Sequence, residues 1–192
     1  DSGAVMIKNH CEKNKIDFSN VKLDDKKSTA VNVGLIWEDG ERTFINNKSG
    51  SLWDFSPEDI DLNLISDSEE KILSFASIFN SPKLNQDFMI KIFSLAKEKN
   101  MIICADMVAP KLNENLSDIK DALKYIDYFF PNYDEAKNLT GKINPEDIAQ
   151  ALIDFGVKNV ILKIGKKGCL VKNSRESFIV PAYENINCID TT

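Results

Sequence analysis

The 192-residue chain is 43% hydrophobic and 28% charged, ordinary proportions for a globular protein with one sizeable core. Its net charge of −6 argues against nucleic acid or an anionic membrane as the main partner. No apolar run approaches a membrane span and no signal peptide is visible, so a cytoplasmic protein is expected, with neither membrane nor nucleic acid as partner. Cys11, Cys104, Cys169 and Cys188 fit no CxxC or zinc spacing and read as buried free thiols.

Residues 3–14 predict an amphipathic helix with His10 on its polar surface. Two strand-like runs, 30–37 and 41–47, meet at Asp39-Gly40, a hairpin signal because a tight turn there needs positive φ at both central residues. The rhythm then changes. A strand over 71–79 precedes a helix within 81–100 that sets Phe88, Ile92 and Leu95 on one face. A buried-type strand over 101–108, a helix over 117–126 and a short strand over 128–132 follow. Helical stretches 133–141 and 144–156 each end in a glycine suited to a left-handed cap. A strand over 159–165, a hairpin-like 166–173 and a strand over 176–183 complete the body.

This alternation predicts an α/β fold, a three-layer αβα sandwich around a mostly parallel central sheet. The early hairpin stands outside the alternation and reads as a small β flap over about residues 28–50.

Three short stretches carry possible chemistry. In FFPNYDEAKNLTG, Asn132 and Glu135 have capping-box spacing at a helix start. The same carboxylate, at the C-terminal end of a parallel strand, could instead hold a hydrated Mg²⁺. In LKIGKKGCL, Gly165 and Gly168 follow a buried strand, either as an ordinary turn or as bare backbone that a nucleotide can approach. Asp-Thr-Thr at 190–192 is nearly uninformative alone.

In this order, PNYDEAKNLTG, LKIGKKG and VPAYENINCIDTT resemble the ribokinase-like family of sugar and nucleoside kinases, also called the PfkB family. DGERTF looks like that family's lid hairpin, and the βαβ stretch through MIICADMV looks like its middle unit. The resemblance implies a ribokinase-like domain, incomplete at both ends, whose cofactors are ATP and Mg²⁺, with K⁺ in some members. It implies transfer of the γ-phosphoryl group to a sugar hydroxyl, or to a nucleoside, unless this is a non-catalytic ligand-binding relative.

By the same comparison Asn132 and Glu135 match the motif that organises Mg²⁺ and the ATP phosphates through water. Lys163, Gly165 and Gly168 match the strand end beside the nucleotide. Asp190 and Thr192 match positions of a monovalent-cation site. The family's catalytic base, the aspartate of Gly-Ala-Gly-Asp, is expected just after Thr192, so residues 1–192 alone are expected to be inactive. Asp106 ends the strand that leads into the sugar pocket, where Val108 and Pro110 replace the asparagine and arginine of many members and only Lys111 is nearby. Thr43 and Phe44 are lid residues that either cover the substrate or are buried between subunits of a homodimer.

Overall fold

The computed structural model describes residues 1–37 and 42–184. Its first helix, α1 (Ser2–Lys13), starts where the Asp1 carboxylate accepts from the Ala4 amide at 2.9 Å, and it buries none of its residues. His10 is exposed on it. Two antiparallel strands, β1 (Asn32–Ile36) and β2 (Arg42–Asn46), form a sheet of their own in which Val33 faces Ile45 and Leu35 faces Thr43. This is the expected flap; its Asp39-Gly40 turn lies outside the described residues. Two helices of four residues each, α2 (Ser51–Asp54) and α3 (Asn63–Ser66), lead into the body. Neither carries a periodic sign in the sequence, since four residues make little more than one turn.

The body is a six-stranded sheet of β3 (Ile72–Ile78), β4 (Ile102–Met107), β5 (Tyr128–Phe129), β6 (Asn159–Lys163), β7 (Cys169–Asn173) and β8 (Ser177–Val180), in that spatial order. The first four strands run parallel, β7 pairs antiparallel with β6, and β8 antiparallel with β7. The parallel strands are linked through α4 (Gln86–Glu98), α5 (Lys120–Leu123), α6 (Tyr133–Thr140) and α7 (Pro145–Asp154). Right-handed crossovers that step one way across a sheet lay their helices on one face.

Burial shows that outcome. Along β4, Ile103, Ala105 and Met107 are buried, while Ile102, Cys104 and Asp106 between them are not. Phe93 of α4, Leu123 of α5, Leu139 of α6 and Leu152 of α7 join Phe129, Val160, Leu162 and Leu170 in a single core. Of the three-layer sandwich, the described residues supply the sheet and this helical layer.

Three local readings are revised. The helix expected over 117–126 is a 3₁₀ turn at Leu116–Asp118 followed by the single turn α5, because Ile119 at φ −127° interrupts the run. The end of β3 is a bulge: Ser77 (φ 61°) and Phe79 (φ 72°) are left-handed and the register with β4 shifts between Phe75 and Ile78. Cys11, Cys104 and Cys169 are free but only half-buried, while Cys188 lies outside the described residues.

Strand β5 is two residues long, yet it sits inside the sheet. Asp127, just before it and buried, fixes its start. The carboxylate accepts from the Ile103 amide at 2.7 Å, from Lys158 Nζ at 2.8 Å and from Lys97 Nζ. Burial pushes the Asp127 pKa up, but the Ile103 amide and the two lysines outweigh it and hold the carboxyl below its ordinary value. A depressed carboxyl adds stability that is present above its unfolded pKa and lost as pH falls through the folded one. Asp127→Ala should cost about 2–4 kcal/mol in urea unfolding at neutral pH. The gap to the unsubstituted protein should narrow below about pH 4.

Candidate functional site

The strand that Asp127 starts ends at Pro131, and there the chain turns into α6. Asn132 is extended (φ −85°, ψ 166°), and its Oδ1 accepts from the Glu135 amide at 2.9 Å. Glu135 Oε2 accepts in return from the Asn132 amide at 3.2 Å. This is the reciprocal capping box that the spacing predicts, and it satisfies two amides a helix start leaves unpaired. At its other end α6 stops on Gly141, which is left-handed at φ 67° and donates to the Lys137 carbonyl.

The same box is docked on the neighbouring strand. The Lys163 amide donates to the Pro131 carbonyl at 3.0 Å, and Asn132 and Lys163 form a parallel bridge beyond the named strands. From the end of β6, Lys163 Nζ lies 3.6 Å from the carboxylate of Asp106, on β4 at the other side of β5. Asn132, Glu135, Asp106 and Lys163 thus gather at the C-terminal end of three adjacent parallel strands. Open α/β sheets bind ligands there.

Glu135 is half-buried, and among the described residues its Oε1 accepts no hydrogen bond. Burial pushes its pKa up, the Asn132 amide opposes that, and Asp106 raises it further against the pull of Lys163. The sign is opposite to that of Asp127: a raised carboxyl costs stability once it ionises, and the cost disappears as pH falls. Glu135→Gln keeps an acceptor for Asn132 and removes the charge. In chemical unfolding it should flatten the loss of stability that the unsubstituted protein shows as pH rises above about 4.3.

The two glycines of the β6–β7 turn differ. Gly165 (φ 64°) has open space where a Cβ would stand. At Gly168 (φ 97°) a Cβ would fall 2.0 Å from the Val180 carbonyl oxygen, so the passing backbone of 180–182 occupies that space. Gly168→Ala should therefore destabilise the protein by more than about 2 kcal/mol in thermal or urea unfolding, whatever binds nearby.

Thr43 and Phe44 are exposed on the flap, away from the sequence stretch of the four-residue cluster, and the Phe44 ring stands over bare Gly34. Asp190 and Thr192 lie outside the described residues. Sequence reasoning missed the link between Asp106 and Lys163, which needs the strand order to be known. It also missed Lys111's partners: Nζ donates to the Asn80 carbonyl at 2.7 Å and to Asn80 Oδ1 at 2.9 Å. Among the described residues no three His, Cys, Asp or Glu side chains gather as a metal cage, and no helix is long and apolar enough to cross a membrane.

A mostly parallel α/β sheet with a capped acid at its strand ends is an arrangement that can take a ligand, and comparison with known proteins places the chain in a family. The chain belongs to the PfkB family: the model described as pfkB family carbohydrate kinase matches residues 1–192. It is 24% identical to probable fructokinase-5 of Arabidopsis thaliana over 100% of this chain and 60% of that protein. A ribokinase of Staphylococcus aureus is 30% identical over 54% of this chain and 34% of its own length. Among solved structures, ribokinase from Thermotoga maritima superposes with a TM-score of 0.72 at 25% identity, covering 100% of this chain and 59% of that one. The matched residues thus span less than two thirds of these relatives' length.

Proposed function

We propose that the protein is an ATP-dependent sugar kinase, transferring the γ-phosphoryl group to a carbohydrate hydroxyl. The observation that carries this reading is the gathering of Asn132, Glu135, Asp106 and Lys163 at one sheet end, in a chain of the PfkB family. The relatives named as fructokinase and ribokinase support a sugar over a nucleoside. The site suits the cofactor. Mg²⁺ keeps several waters and leans on phosphate oxygens, so a single carboxylate with a spare oxygen fits better than a protein cage.

When bound, Mg²⁺ with ATP supplies the phosphoryl group and neutralises the charge that develops on it. The chain's own residues orient and exclude. Asn132 locks the Glu135 carboxylate, whose remaining oxygen would be left to hold a hydrated metal. Lys163 balances Asp106 and stands ready for a phosphate. Gly165 leaves room for the nucleotide, while Gly168 lets residues 180–182 pass. Asp106 borders the sugar, and the flap, with Thr43 and Phe44, is the lid. Val33, Leu35 and Ile45 are exposed on one flap face and give a homodimer its contact. In this reading Asp190 and Thr192 are the positions that would serve K⁺. A reducing cytoplasm suits the free thiols of Cys11, Cys104 and Cys169.

The test is ADP release by the full-length protein across a panel of sugars and nucleosides. Turnover with a sugar is expected. Turnover with nucleosides alone would favour the nucleoside kinase, and no turnover at all the non-catalytic relative. Glu135→Gln should lower kcat by about 10- to 100-fold and weaken its Mg²⁺ dependence. Unchanged kcat and Mg²⁺ response would remove Glu135 from any part in holding the metal.

A further inference from the structure

The flap meets the body through α2, and two consecutive residues of that short helix make the polar connection. Trp53 has Lys48 Nζ 5.2 Å from its ring centre and Lys111 Nζ 5.1 Å from it. Asp54 has Lys27 Nζ at 2.8 Å and Lys83 Nζ at 3.0 Å. In each pair one lysine comes from the stem of the flap: Lys27 lies before β1 and Lys48 after β2. The other comes from the sheet end, with Lys83 after β3 and Lys111 after β4. The stem is itself closed by Asn47 Oδ1, which accepts from the Val31 amide at 2.9 Å, and by the Ser51 amide donating to the Ser28 carbonyl at 3.0 Å.

Between α2 and the body lies an apolar-lined cavity. Leu52 and Phe55 line a cavity of about 300 Å³ together with Leu73, Phe75 and Phe79 of the sheet side. Beside this cavity, the four lysines supply polar links between the flap stem, α2 and the sheet end. They are unequal. Lys27, Lys83 and Asp54 are all exposed, so their pairs are screened by salt and weak. Lys111 is half-buried, and burial lowers its pKa. It spans the Trp53 ring and both oxygens of Asn80, which follows the bulged end of β3. Removing its ammonium strips the Asn80 carbonyl and Oδ1 of their donor and the Trp53 ring of its cation at once.

We propose that Trp53 and Asp54 form the pivot of the flap and that Lys111 is the positioning residue that sets it against the sheet end. The pivot itself does not depend on the proposed activity. Its kinetic consequence rests on that reading: a loosened pivot weakens acceptor binding more than the chemical step.

The chain has two tryptophans, so a Trp37→Phe background leaves Trp53 as the sole reporter. In that background Lys111→Met should red-shift Trp53 emission and increase its quenching by acrylamide. It should also speed amide exchange over residues 47–53 by about tenfold, and Lys111→Arg, which keeps the cation, should restore both. Unchanged emission, quenching and exchange in Lys111→Met would overturn the proposal. Should that variant fail to fold, Asp54→Asn, at an exposed site, should speed exchange over 27–31 and 47–53 at low salt and lose that effect at high salt. Equal exchange at both salt levels would overturn it too. With an active sugar, Lys111→Met should raise acceptor KM by about tenfold while kcat moves less than about threefold. An inactive unsubstituted full-length protein would sink the kinase reading and leave emission and exchange to judge the pivot.

Discussion

The start of β5 is the constraint on which the site depends. A two-residue strand forms few ladder bonds, yet β5 must hold β4 and β6 at sheet spacing and deliver Pro131, Asn132 and Glu135 at its far end. Asp127 compensates. Its backbone bonds Ile103 and Asn159, at 2.9 and 3.0 Å, while its carboxylate draws in Ile103, Lys97 and Lys158. Two strands and the end of α4 are thereby tied to one residue. Charge is concentrated there because the hydrogen-bond ladder is short.

The two ends of β5 use carboxylates in opposite ways. At Asp127 both oxygens have donors, so the charged form is favoured and the acid is structural. At Glu135 one oxygen serves the helix cap and the other is unpaired among the described residues, beside a second acid. That imbalance is what a ligand site requires, since a fully satisfied carboxylate has nothing left to offer an incoming cation. Lys163 tempers it, reaching across β5 to Asp106.

Much of this was legible in the sequence where the signal is local. The Asn132–Glu135 box and the Gly141 cap follow from residue type at fixed spacing, and both form as expected. The alternation of strands with helices pointed to the sheet. What stayed hidden depends on contacts distant along the chain. Asp127 meets Lys97 and Lys158 from about 30 residues on either side. Lys111 looked like an unassigned neighbour of the sugar pocket until Asn80 and Trp53 closed around it. Ser77 and Phe79 read as ordinary strand residues, because nothing in a β-prone run announces a left-handed backbone. Gly168 was open to two readings, an ordinary turn or a nucleotide's approach, and the backbone of residues 180–182 fills the space of its missing side chain.

The strand order of the body follows the chain without a single swap, from β3 to β8. Within β3 to β8, pairing therefore never waits for a partner that is synthesised later. As the polypeptide leaves the ribosome, each of these strands can meet an edge already made, and before β4, β5 and β6 a helix has just been completed to cover the junction. Such vectorial growth shortens the loops that must close and limits the time an apolar edge stands open to aggregation.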